Sequence, residues 1–174
     1  MNKTLFTALL VCQSALMSAQ TDNYTTLHTE PVQNPMLWAD VPDPDVIRVG
    51  DTFYLVTTTM HLMPGAPVMA SKDLKNWETV GYIFNRLTDS PKYDLQEGTV
   101  YGRGQWATSL KYHNGRFYAL LAPNERGAMG DTYIFSAEKA EGPWEIVSRM
   151  RHSTTALYSS TTMDACMSSM ALAS

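Results

Sequence analysis

Val46-Ile47-Arg48-Val49, then Gly50-Asp51, then Thr52-Phe53-Tyr54-Leu55-Val56 is a run of β-branched and aromatic residues broken once by a turn pair. Such a run predicts a β-hairpin. The design returns as Ser109-Leu110-Lys111-Tyr112, His113-Asn114-Gly115 and Arg116-Phe117-Tyr118-Ala119-Leu120, which sets Phe117-Tyr118 64 residues after Phe53-Tyr54. After each hairpin come another strand-like run and a Trp-Glu pair, Trp77-Glu78 and Trp144-Glu145, 67 residues apart. No apolar periodicity of helical length stands out between residues 36 and 147. The fold class is therefore all-β. Two units of about four short strands each predict blades of a β-propeller, whose sheets pack on one another around an axis. Two blades do not close a ring, so the chain reads as part of a larger propeller.

Composition agrees with a packed domain. The 174 residues are 44% hydrophobic and 17% charged, and 4 Trp, 9 Tyr and 5 Phe supply a core. Thirteen Lys and Arg against 17 Asp and Glu give a net charge of −4 with no basic cluster, which excludes nucleic acid and anionic membranes as expected partners. A neutral substrate fits better.

The two ends differ from the middle. Residues 1–19 combine Lys3, an apolar run from Leu5 to Cys12, and the small pair Ser18-Ala19, the pattern of a secretory signal peptide cleaved after Ala19. The run is broken by Gln13 and Ser14 and is too short to span a membrane. An exported, periplasmic or extracellular protein is expected, without membrane insertion after cleavage. Cys12 and Cys166 form no disulfide once the leader is gone. Residues 148–174 read as a foreign tail: from Ser153 to Ser174, ten of twenty-two residues are Ser or Thr. One reading is a flexible exported tail. The other is a frameshift. Back-translated with TCN serine codons and read one nucleotide earlier, this stretch permits a third hairpin of the same kind.

Three carboxylates, Asp40, Asp43 and Asp45, stand in Trp38-Ala39-Asp40-Val41-Pro42-Asp43-Pro44-Asp45 just before the first strand. A propeller presents the start of each blade's inner strand to its central channel, so one of these acids is a candidate to face a ligand. The alternative is an Asp that caps a turn beside proline. A calcium loop of the EF-hand kind is excluded, since the Gly and terminal Glu are missing.

Several motifs, taken in order, resemble glycoside hydrolase family 43. Pro42-Asp43-Pro44-Asp45-Val46-Ile47-Arg48 with Gly50-Asp51-Thr52-Phe53-Tyr54 resembles its opening; Ser71-Lys72-Asp73-Leu74-Lys75-Asn76-Trp77, Trp106-Ala107, Tyr112 to Tyr118 and Gly142-Pro143-Trp144 follow. The shifted frame also permits the family's His-Asp-x-Ser motif. The resemblance covers residues 31–147, the N-terminal part of a glycosidase domain.

It implies a five-bladed propeller, of which this chain supplies roughly the first two blades, and hydrolysis of xylosides or arabinofuranosides with inversion. Asp43 matches the general base. The general acid, a Glu of a later blade, matches no residue here, and a third carboxylate that tunes it would fall where Thr155 is read. The fragment is expected to be inactive. His61, in Met60-His61-Leu62-Met63-Pro64-Gly65, resembles part of the loop shaping the terminal-sugar pocket; it is either a donor to a sugar hydroxyl or a solvent-facing loop residue. Trp106 is either an apolar face for the sugar or a core residue. Thr108 stands where many relatives carry Pro. Arg103 and Gln105, near Trp106, are either polar contacts of the site or, as the favoured reading, surface residues, and the remaining Trp residues are expected in blade packing. No cofactor is expected; a central calcium ion is possible in the complete family fold but has no assignable ligand here. The alternative function is a non-catalytic carbohydrate-binding propeller module.

Overall fold

The computed structural model describes residues 31–88, 90–125, 128–129 and 131–150. The leader read at 1–19, most of the tail read at 148–174, and Thr155 lie outside these. Contacts divide the chain into Met1–Gln33 and Asn34–Ser174, and the second unit carries the fold.

Two four-stranded antiparallel sheets form it. In the first, β1 (Asp45–Val49), β2 (Thr52–Val56), β3 (Gly65–Ser71) and β4 (Glu78–Phe84) pair in sequence order. The second contains β6 (Ser109–His113), β7 (Arg116–Leu121), β10 (Thr132–Ala137) and β11 (Glu145–Met150), also in chain order. Each hairpin read from the sequence is present, with Val49 opposite Thr52 and His113 opposite Arg116. The second turn is Asn114-Gly115 alone, both at positive φ (47° and 81°), the backbone that a two-residue hairpin turn demands and that Asn and Gly adopt with least strain. His113 belongs to the strand. In both sheets the third and fourth strands slip register once, at Val68/Met69 and at Ile134/Phe135, and a Trp-Glu pair opens the fourth strand. The strand β11 runs to Met150, past the boundary drawn at residue 147.

The second sheet carries an insertion between its second and third strands. There β8 (Pro123–Glu125) and β9 (Ala128–Met129) pair, and the short β5 (Gly104–Gln105) joins β8. A 3₁₀ turn covers Pro91–Asp94. No helix among the described residues is long and apolar enough to cross a membrane.

One core joins the two sheets. Val56, Val68, Ile83 and Phe84 of the first pack in a single cluster with Leu110, Phe117, Leu121 and Phe135 of the second. The rings of Tyr54 and Phe117 meet edge to face at 5.0 Å, an arrangement favoured by their quadrupoles. A polar bond adds to this: the Leu110 N–H donates to Asp45 Oδ2 at 2.7 Å. Trp144 packs against Phe117 and donates its indole N–H to the Ala140 carbonyl, as blade packing requires. Trp38 does not follow that expectation. It precedes β1, outside both sheets, and is 91% exposed.

Candidate active site

The three carboxylates before β1 divide by environment. Asp40 is exposed. Asp45 is committed to the Leu110 amide of the other sheet. Asp43 is exposed, and its Oδ2 accepts a hydrogen bond of 3.1 Å from the Thr58 hydroxyl. Its φ of +48° is left-handed, a conformation that Asp tolerates better than most residues but that still needs support.

That support comes from the end of β2. Leu55 and Val56 are buried strand residues, and Thr57-Thr58-Thr59 continue from them. The buried Thr57 and Thr58 grip the carboxylate's own loop: the Pro42 carbonyl accepts from the Thr57 hydroxyl at 2.6 Å and from the Thr58 N–H at 3.0 Å. Proline fixes φ at residues 42 and 44, and two bonds to one carbonyl fix where the loop sits. Asp43 is left with a carboxylate held by one donor and in no ion pair among the described residues. Such a group can take a proton from a water molecule.

Thr59 points the network elsewhere. Its N–H and its hydroxyl donate to Gln105 Oε1 at 2.6 and 3.1 Å. Gln105 Nε2 donates to the Trp106 carbonyl and, at 2.7 Å, to the Thr108 hydroxyl. The Gln105 backbone also pairs in both directions with Met60, at 3.0 and 2.8 Å. Gln105 is 0% exposed, which corrects its expected place at the surface: every polar atom of its amide is satisfied, so burial leaves nothing unpaired. The neighbouring Arg103 is exposed, as expected. Thr108 is buried and serves as an acceptor for Gln105.

The approach of these two segments is close. A Cβ on Gly104 would fall inside the Met60 carbonyl, and its φ is +106°, so only glycine fits there. Met60 itself is left-handed, with φ +54°. His61 follows it, half-buried, and its Nδ1 accepts from the Gly102 N–H at 3.3 Å. Trp106 is half-buried. The structure therefore strings Asp43, His61 and Trp106 along one set of bonds, through Thr58, Thr59, Met60 and Gln105. The triple Thr57–59 was missed in the sequence; three hydroxyl residues ending an apolar strand are its only local sign.

Two concavities lie apart from this cluster. One, of about 370 Å³, is lined by Thr52, Lys72, Asp73 and Trp77; the other, of about 530 Å³, by Arg116, Glu138, Lys139 and Glu145. Neither includes Asp43, His61 or Trp106. In the first, the N–H and side-chain amide of Asn76 and the N–H of Lys75 hold the Asp73 carboxyl well below the usual carboxylate range. Asp51 is lowered by the hydrogen bond and charge of Lys72. Among the described residues no three His, Cys, Asp or Glu side chains gather as a metal site.

Two four-stranded antiparallel sheets that share a core, each paired in chain order, define the class: an all-β protein of the β-propeller kind. The model for glycosyl hydrolases family 43 matches residues 32–168, and the chain belongs to that family. The match takes in much of the tail read as foreign. A beta-xylosidase of Formosa agariphila is 40% identical over 111 residues, 64% of this chain and 18% of the relative. A non-reducing end alpha-L-arabinofuranosidase of Bacteroides ovatus is 39% identical over 113 residues, 64% of this chain and 21% of the relative. The solved structure of a bifunctional protein of this family from Bacteroides eggerthii superposes with a TM-score of 0.63 at 40% identity, covering 70% of this chain and 16% of that one. The chain thus spans about a fifth of the length of the curated relatives it matches.

Proposed function

We propose that this chain is the base-bearing part of an exported, inverting glycosidase that acts on xylosides or arabinofuranosides derived from xylan or arabinoxylan. The observation that carries the reading is the contrast between Asp45, bonded across the sheets, and Asp43, exposed and, among the described residues, anchored by the Thr58 hydroxyl. The names of the relatives support the substrate class.

In this reading Asp43 takes a proton from water as that water attacks the anomeric carbon. A carboxylic acid on the opposite face of the sugar protonates the leaving oxygen, and the two carboxyl groups stand roughly 6.5–9.5 Å apart with the water between them. Trp106 lends the sugar an apolar face and His61 a hydrogen bond. No carboxyl of the chain matches the family's acid. A polypeptide of these 174 residues alone is therefore inactive, since a general acid typically contributes about 10²- to 10⁴-fold in rate. Residues 1–19 direct its export, and N-terminal sequencing of the secreted product should begin at Gln20.

The test is a chimera in which residues 31–150 replace the matching segment of the Formosa agariphila relative. It should hydrolyse 4-nitrophenyl β-xyloside or α-arabinofuranoside, Asp43→Asn should abolish turnover, and Asp45→Asn should leave it measurable. Turnover surviving Asp43→Asn would remove the base assignment. Turnover by the 174-residue polypeptide would remove the claim that its acid lies elsewhere.

A further inference from the structure

Resting on the pentose substrate class proposed above, we infer that the concavity of about 370 Å³ on the first sheet is a surface site for a neutral pentose chain, with Trp77 as its aromatic wall and Glu78 as an acceptor for sugar hydroxyls. The two concavities occupy the same corner of their sheets, around the start of the second strand, the end of the third and the start of the fourth. Thr52, Ser71 and Glu78 mark it in the first sheet, Arg116, Glu138 and Glu145 in the second.

The repeat makes one blade a control for the other. Each corner holds the tryptophan of a Trp-Glu pair, and the two are used differently. Trp144 packs on Phe117 against the core and does not line its concavity. Trp77 lines its own and, among the described residues, takes no part in the core cluster. A half-buried indole with no core to fill is a surface offered to a ligand. Its N–H donates to the Leu74 carbonyl at 3.0 Å, so the ring is set before any ligand arrives, which lowers the cost of binding.

The polar groups of the groove divide in the same way. Asp73 is committed to its own loop: Oδ1 accepts from the Lys75 and Asn76 backbone N–H groups at 2.8 Å each, and Oδ2 from the Asn76 side chain at 2.7 Å. Lys72 Nζ is taken by Asp51 and Thr52, at 2.6 and 2.7 Å. Glu78 is exposed, and neither its carboxylate nor the Asn76 side-chain oxygen has a partner among the described residues. The groove thus leaves acceptors free beside an aromatic wall. A sugar complements that set, since its C–H face stacks and its hydroxyls donate. An anion would meet the Glu78 charge unopposed, because Lys72 is already paired with Asp51. The site stands apart from Asp43: Thr52 opens β2, Thr58 lies past its end, and the strand alone spans roughly 13 Å.

The experiment titrates the full chain with xylotetraose and with α-1,5-arabinotetraose, following the Trp77 indole and Asn76 backbone N–H signals by NMR. At least one chain should shift both signals. Glu78→Ala, at an exposed position, should weaken that binding roughly two- to tenfold, the range of one hydrogen bond, and Trp77→Ala, read at Asn76, by a similar factor. Asp43→Asn should leave the affinity unchanged. No shift at Trp77 and Asn76 with either chain, an affinity unaltered by Glu78→Ala or by Trp77→Ala, or a loss in Asp43→Asn would each overturn the assignment. Failure of the substrate reading shows separately, as a chimera that hydrolyses neither pentoside.

Discussion

A single buried amide, Gln105, stands between the loop that bears His61 and the segment that bears Trp106. Replacing it by leucine leaves the half-buried Thr59 without the acceptor of both its N–H and its hydroxyl, and an orphaned donor shielded from water costs about 1–3 kcal/mol. Gln105→Leu should therefore lower the unfolding free energy in urea by roughly that amount, whereas an exposed glutamine would show almost no change. The sequence carried no warning of this role. A glutamine beside tryptophan reads as a side chain facing water, and its principal partner, Thr59, lies 46 residues away. Asp43 was legible because proline on both sides constrains it locally; the hydroxyl that holds it was not. Asp73 yields a pH prediction. Its folded carboxyl lies below the ordinary 3.8, so the stabilisation it gives is fully present above that value and drains away as the pH falls through the depressed one. Below about pH 4 the thermal midpoint of the wild type should fall more steeply than that of Asp73→Asn.

At the level of strands and sheets, the repeated hairpins were readable because both are local: alternation, a turn pair and a following Trp-Glu all fall within one blade. The insertion β8–β9 and the short β5 were not. They have two or three residues each, too few to show alternation, and β5 finds its partner beyond the whole of β6 and β7. Asp45 works between sheets. Asp45→Ala removes a charged acceptor from the fully buried Leu110 and should cost about 1.5–3 kcal/mol in urea unfolding. Asp45→Asn, which keeps an acceptor oxygen, should cost less. Equal losses for both would mean that the charge, and not the hydrogen bond, joins the sheets.

Across the whole molecule, apolar side chains remain uncovered on the last strand. Ile146 is 56% and Val147 47% exposed on β11, which among the described residues pairs only with β10. An open strand edge carrying apolar groups invites association. Ile146→Lys should shift sedimentation of the 174-residue polypeptide toward the monomer; an unchanged profile would show that this strand is not the sticking surface. The two sheets otherwise behave as one body, since they share a core. The Leu110 amide makes that sharing observable. Its hydrogen is held by the side chain of another sheet and not by a ladder partner, so solvent deuterium can reach it only when the two blades part. Its exchange rate is a built-in gauge of blade separation, readable at one resonance.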